Sequence, residues 1–480
     1  MAGTRKNFVY NLILTLCNYV FPLITYPYVS RVLGVTNIGI CNFVDSIIDY
    51  YVLFSTLGIG SYGVRAIAKY VDDKHKRDEI FTNLFVLNSI TTIVFLFILF
   101  TTTYSFEKFA PYKDFLYIGS LKLIFSLFMT NWLFQGMSDF KYITIRSVIV
   151  RCIFVVFVFL FVRKSNDAII YYLLTCLTIV LNAVINWNYG KKYRKLDVRK
   201  LKLSYYFFPV LSYGFYNILT AMYTTFNTVF LGFTSGDKEV GYFTTATKLY
   251  FIIMSVFTAF TTVMVPRIAK LVKDKNYADL QSISKDTLEL VIIFSLPIII
   301  FCELNAEEMI FLLSGKGFEG AVFVFRLVVL LLIIIGFEQI IIQQFLMALS
   351  SSSAIIWVSL TGAFFGLLAN FILTPVLCSV GSAISWGISE LAVLMVGVFL
   401  VRKLMKISID FFSLARKSLT GIVYVVPLCL YFVGIDSHLY FIGSGLYILI
   451  LFLVINLYMD RNQYVVEVWN KFAGKIYLIK

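Results

Sequence analysis

The stretch Gly39-Ile-Cys-Asn-Phe43 … Ile67-Ala-Lys-Tyr-Val-Asp-Asp-Lys74 returns as Gly241-Tyr-Phe-Thr-Thr245 … Ile268-Ala-Lys-Leu-Val-Lys-Asp-Lys275, at an offset of 201 to 202 residues. Upstream, Tyr10-Asn-Leu-Ile-Leu-Thr15 resembles Tyr216-Asn-Ile-Leu-Thr220. In each copy an apolar run passes into a short basic segment. A helix needs about 20 mostly apolar residues to cross the hydrocarbon layer, and about fourteen such runs can be read along the chain. They fall near 8–32, 38–63, 80–103, 112–136, 141–163, 167–189, 205–232, 239–265, 285–303, 318–348, 353–376, 380–401, 414–434 and 439–458. The repeat offset equals six of these runs. Six is even, so both copies enter the membrane from the same side, as a parallel repeat about an axis along the membrane normal. The competing explanation is a basic amphipathic loop helix that simply occurs twice.

The expected fold is therefore an all-α integral membrane protein with about 14 transmembrane helices. A six-helix bundle covers 1–195, a second covers 196–405, and 406–480 holds two extra helices and a tail. The two bundles are related by a parallel pseudo-two-fold. Composition points the same way. Hydrophobic residues make up 60% and charged residues 14% of the 480, and the mean hydropathy is +0.86. A water-soluble surface needs nearer a quarter charged residues. The net charge of +14 would suit nucleic acid if it formed a continuous face, but the cations cluster between apolar runs, which is positive-inside topology. Loops 64–79, 190–204, 266–285 and 402–417 are basic, whereas 303–319 carries Glu303, Glu307, Glu308 and Glu319. This alternation places both termini in the cytoplasm.

Other classes are excluded by what the residues lack. The first apolar run follows Arg5 and Lys6, lasts about 25 residues and has no small-residue cleavage site, so it reads as a span and not as a secretory signal. The seven Cys are scattered without a CxxC pair, and His75 and His438 fall in loops, so no metal site or cofactor is expected. Gly315-Lys316-Gly317 lacks the spacing of a phosphate-binding loop. No long extramembrane segment could house a catalytic domain, and the chain does not read as an enzyme.

Polar residues within the spans are the candidate site. Asn11, Thr15, Asn18, Pro22 and Thr25 form one stripe on the first span, and Asn217, Thr220, Thr224 and Asn227 form another on the seventh. They would line a wet cavity for a polar cargo, or equally hold helices together. Ionisable residues at membrane depth are costly and usually functional. The cations are Lys122, Arg151, Lys248 and Arg326, and they would suit an anionic cargo such as a diphosphate. The acids Asp45, Asp49, Glu338 and Glu390 are candidates for ion or proton coupling. The bland alternative is mutual neutralisation, for example of Lys248 by Asp49. Arg31, Arg146 and Glu289 lie near span ends and could snorkel.

The first span ends in Pro27-Tyr-Val-Ser30-Arg31-Val-Leu33-Gly34, followed by Gly39. This resembles the opening of bacterial oligosaccharide-lipid flippases, the O-unit and capsule-unit translocases of the multidrug/oligosaccharidyl-lipid/polysaccharide exporter superfamily. The resemblance implies a V-shaped pair of bundles around a cationic cavity in the bacterial inner membrane. It implies undecaprenyl-diphosphate-linked oligosaccharide as cargo, moved from the cytoplasmic to the outer leaflet. It makes Arg31 a candidate headgroup contact, and membrane lipids and polysaccharide polymerase machinery the expected partners, with no nucleic acid. Two helices beyond twelve favour the fourteen-span type, in whose members the last pair can form a groove for the lipid tail. The rivals are a cation-coupled multidrug exporter of the same fold, which would want an acidic apolar cavity, and a membrane polysaccharide polymerase, which would want a large outward catalytic loop.

Overall fold

The computed structural model describes residues 2–198, 201–274, 277–346, 352–405 and 437–454. Among them all regular structure is helical. Seven helices are long and apolar enough to cross a membrane, or eight if the bent pair Gly320–Val329 and Leu331–Leu346 counts as one. Large apolar side chains stand outward on them: Phe97, Phe364, Val376 and Phe399 are all more than 60% exposed. In water such a surface would aggregate, whereas in lipid it is the solvated face. The protein is a multi-pass membrane protein.

Two of the helices are too long for one crossing. Helix α1 (Ala2–Thr56) and helix α15 (Ser352–Met405) each hold more than 50 residues, or roughly 80 Å at 1.5 Å per residue. A bilayer core is about 30 Å thick. Each bends once. In α1 the bend is at Gly34, with φ 75° and ψ 170°, a conformation open in practice only to glycine. In α15 it is at Cys378, with φ 52°. The halves of α15 fold back on each other, since the Ser389 hydroxyl donates to the Gly362 carbonyl at 2.7 Å. Breaks thus fall where they are expected, between the first two runs at Gly34 and between 376 and 380 at Cys378, each made by a single non-helical residue.

Between these lie α2 (Ile59–Lys69), α3 (Lys74–Ser105), α4 (Lys113–Ser126), α5 (Asn131–Gly136), α6 (Phe140–Phe161) and α7 (Ala168–Gly190), then α8 (Leu203–Thr224), α9 (Phe226–Ser235) and α10 (Asp237–Lys273). Helices α11 (Tyr277–Leu304), α12 (Ala306–Ser314), α13 (Gly320–Val329) and α14 (Leu331–Glu338) lead through a π-helical segment, Gln339–Leu346, towards α15. Helix α16 (Ser437–Val454) covers most of the last expected run and packs on α11 through Phe301 and Phe441. The expected run at 414–434 lies outside the described residues.

One backbone conformation recurs at the sequence offset. Gly236, 202 residues after Gly34, has φ 87° and ψ 177° and opens α10 as Gly34 opens the second half of α1. The next pair, Gly39 and Gly241, meet each other. A Cβ on Gly39 would lie 1.7 Å from the Asp237 carbonyl oxygen, and one on Gly241 would lie 2.3 Å from that of Val35. A second close approach lies just past the far end of α1, where a Cβ on Gly58 would lie 2.3 Å from the Gly214 nitrogen of α8. Glycine at these places lets two backbones approach closely, as small residues do wherever membrane helices cross tightly.

Candidate substrate-binding site

The second half of α1 runs beside α3, α4 and α8 and carries the charged cluster. It is held to α3 by the Tyr51 hydroxyl on Thr102 at 2.7 Å and to α8 by the Tyr50 hydroxyl, which donates to the Ala221 carbonyl at 2.8 Å. One turn apart on it, Asp45 and Asp49 both reach Lys122 of α4, each with an Oδ1 at 2.7 Å from Nζ. One ammonium therefore serves two carboxylates. Lys248 of α10 stands across the seam. Its Nζ lies 4.2 Å from the centre of the Tyr26 ring, and no carboxylate lies within ion-pairing distance of it among the described residues. Tyr26 is held there by its hydroxyl, which hydrogen-bonds Thr245 at 2.6 Å.

Lys122 also borders a cavity of about 680 Å³. Its walls come from the end of α1, from α2, α3, α4 and α5, and from Asn217 of α8. Arg65 lies at its α2 end and donates from Nη1 to the Tyr213 hydroxyl at 2.8 Å.

The remaining cations are dispersed. Arg151 faces the first half of α1, and its Nη1 is buried with no hydrogen-bond partner. Arg326 is exposed, with Nε 4.0 Å from Glu303. Arg31 caps α12, donating from Nη2 to the carbonyls of Phe311 at 3.1 Å and Leu312 at 2.7 Å. Glu338 and Glu390 are buried and lie near each other. Glu390 also accepts from Trp386 Nε1 at 2.6 Å.

The stripes divide. Thr25 is buried and donates to its own helix at Phe21, Asn11 is partly buried, and Asn18 is exposed. On the other stripe Asn217 lines the cavity, while Thr224 is exposed and bonds back to Thr220. Asn227 is buried in a network in which Asn370 Nδ2 donates to its Oδ1 at 2.5 Å and Thr374 donates to Asn370 at 2.9 Å. For Asn227 the structure shows a role in joining helices.

Several residues near the site were not assigned to it from sequence. Arg146, expected to snorkel, is 5% exposed and donates to Asn131 and Asn186. The signal was available, because each of those asparagines interrupts an apolar run and needs a partner in lipid. Asn88, Thr130 and Gln135 of the cavity wall were likewise passed over. Among the described residues no cluster of His, Cys, Asp and Glu could hold a metal ion.

Residues 4–272, more than half the chain, match the family described as polysaccharide biosynthesis protein. The chain belongs to that family. A family relative in Escherichia coli (strain K12), provisionally named an O-antigen transporter, is 25% identical over 411 residues, which cover 83% of this chain and 96% of the relative. One from Shigella dysenteriae with the same provisional name is 23% identical over 276 residues, 56% of this chain and 68% of the relative. The family fold is shared by the lipid II flippase MurJ in an inward closed conformation, with a TM-score of 0.77, 13% identity, and coverage of 95% of this chain and 99% of that one. It is shared also by an inward-facing multidrug resistance MATE transporter of the MOP superfamily, with a TM-score of 0.64, 16% identity, and coverage of 86% and 96%. None of these names describes an enzyme.

Proposed function

We propose that this chain carries lipid-linked oligosaccharide across the bacterial inner membrane for the synthesis of a surface polysaccharide, with undecaprenyl diphosphate as the lipid carrier. In this reading fourteen spans form two six-helix bundles, 1–195 and 196–405, plus the pair in 406–480, with both termini cytoplasmic. The observation that carries it is Lys248. A lysine at membrane depth without a carboxylate partner is expensive, and here it stands at the seam between the repeat halves, where an anionic headgroup would supply the missing charge. Arg151 is the second cation left for the diphosphate. It lies near Cys17, nine residues before Tyr26 and so about 13 Å along α1, and the two would act on the headgroup at successive depths. Lys122 is already neutralised, and Arg31 and Arg326 serve as a helix cap and an outer ion pair.

Alternating access follows from the same seam. It is zipped at Gly39–Gly241 and at Gly58–Gly214, and parting one end at a time would open the carrier to each side in turn. The buried acids Glu338 and Glu390 would couple the cycle to an ion gradient, with Asp45 and Asp49 as the alternative carriers.

The test is complementation in a host deleted for this gene. Lipid-linked oligosaccharide should accumulate in the deletion strain and surface glycan should vanish. Wild type should restore the glycan, and Lys248→Ala should restore less than a tenth of it. Full glycan from a chain with Lys248→Ala and Arg151→Ala together would refute the cationic site. Unchanged glycan in the deletion strain would refute the cargo.

A further inference from the structure

We infer that Asp45 is a built-in counter-ion for Lys248: it stands in for the cargo's oxyanion while the carrier is empty and yields to it when the cargo binds. The inference rests on the carrier reading, in which Lys248 receives the diphosphate, and adds the residue that sets how tightly that group is held. Four charges meet at the seam. Asp45 and Asp49 come from α1, Lys122 from α4 and Lys248 from α10. They sum to zero, but their distribution is uneven. Both carboxylates lie 2.7 Å from Lys122 Nζ, while Lys248 rests on the face of the Tyr26 ring, 4.2 Å from its centre. A ring face attracts a cation through its quadrupole and leaves the full charge in place. One carboxylate is enough for Lys122. So one carboxylate is in excess on one side of the seam, and one is missing on the other.

Charges at membrane depth pair with one another, and here the excess and the deficit are neighbours. Asp45 is the member of the pair whose charge bears on Lys248. Buried Cys41, one turn before Asp45 on the same face of α1, lies close to both charges. Asp49 lies one turn further along α1, and at 2.7 Å it can hold Lys122 by itself. The Asp45 side chain is 31% exposed, so a cargo group can come up beside it.

The arrangement answers a need of any carrier, which must release what it binds. Without cargo the seam is neutral as a whole, and Lys248 keeps its charge there because Asp45 is near. With cargo, an oxyanion on Lys248 stands beside Asp45. Like charges close together in a medium of low dielectric repel strongly. Asp45 therefore loosens the hold of Lys248 on the oxyanion and takes its place when it leaves. A lysine with no competing carboxylate would retain a diphosphate far longer.

The test uses the full chain in lipid nanodiscs with farnesyl diphosphate as the probe and farnesol as its uncharged control. Binding is followed by NMR titration. Lys248→Gln should weaken the diphosphate at least tenfold. Asp45→Asn should tighten it at least fivefold. So should Asp45→Thr, which places there the side chain that the second copy carries as Thr247. Lys122 keeps Asp49 in both variants, so the fold is retained. Asp49→Asn should give a smaller gain, because Asp45 stays in place. In Asp45→Asn combined with Lys248→Gln the gain should vanish, which identifies Lys248 as the ammonium through which Asp45 acts. Farnesol binding should not move in any variant. Wild-type affinity in both Asp45 variants, an equal gain from Asp49→Asn, or a gain that survives Lys248→Gln overturns the inference and leaves Lys248 as the diphosphate site. A Lys248→Gln chain that binds the diphosphate like wild type removes the parent reading and this inference together.

Discussion

Lys122 holds two carboxylates on one ammonium, and this fixes what its removal must do. Removing one partner of a buried ion pair costs about 3–5 kcal/mol. The partial exposure of Asp49, 48% at the side chain, puts this cluster below that range. Lys122→Met should therefore lower the melting temperature and the membrane abundance, while D45N/K122M/D49N should recover most of the loss, since no charge then remains without a partner. Equal melting temperatures for single and triple variants would refute the pairing. A second residue-scale case lies outside the membrane. Asp139 caps α6 through the Tyr142 nitrogen and accepts from the hydroxyls of Tyr189 at 2.8 Å and Tyr193 at 2.7 Å. Burial pushes its carboxyl up, but the hydrogen bonds from Tyr193 and Tyr189 and the nearby Lys192 together outweigh that and hold it below the usual range. A lowered carboxyl stabilises the fold above its unfolded value, about 3.9, and that contribution is lost as pH falls through the lower folded value. Asp139→Asn keeps a capping oxygen but loses the charge, so it should melt lower than wild type at pH 7, and thermal melts should show that gap closing below about pH 4. The identities of both clusters are visible in the sequence, but the partnerships are not. Asp45 and Asp49 meet Lys122 and not Lys248 because α1 and α4 pack face to face, and no local pattern encodes which faces meet.

Among the elements, the spans were legible because lipid demands a fixed apolar length. The connections were less so. The break between the first two runs is a single residue, Gly34, because glycine turns the chain there at no steric cost. Two neighbouring glycines then make different demands. Gly34 has empty space around its Cβ position and a backbone only glycine adopts, whereas Gly39 has its Cβ position 1.7 Å from the Asp237 carbonyl oxygen. Gly34→Ala should cost about 1–3 kcal/mol through backbone strain alone. Gly39→Ala should instead force the halves apart, so its melting temperature should fall with a gain in cysteine labelling along α10. If both variants melt like wild type, the seam is not closed as described.

For the molecule as a whole, the charge alternation between loops makes a topology that labelling can read. A single cysteine replacing Lys195 should react with an impermeant thiol reagent only in inverted vesicles, and one replacing Glu307 only in intact cells. Both reacting from the same side would refute the proposed orientation. The proposed two-part organisation rests on a few short sequence matches. Gly34 and Gly236, at the same offset, support it with dihedral angles that agree within about 12° and 7°.

That agreement has a historical side. If the chain arose by tandem duplication of one gene segment, the glycines at the bend came with the ancestral copy, because no other residue could replace them afterwards. Side chains were under no such restraint. Lys248 now stands where the first copy has Ser46, and Asp45 where the second has Thr247. The ancestor of two equal halves would have presented the same chemistry from each wall. Divergence has put the paired acids on one side and the unpaired Lys248 on the other, so on the proposed carrier reading a cargo would meet two different surfaces and have a preferred way round.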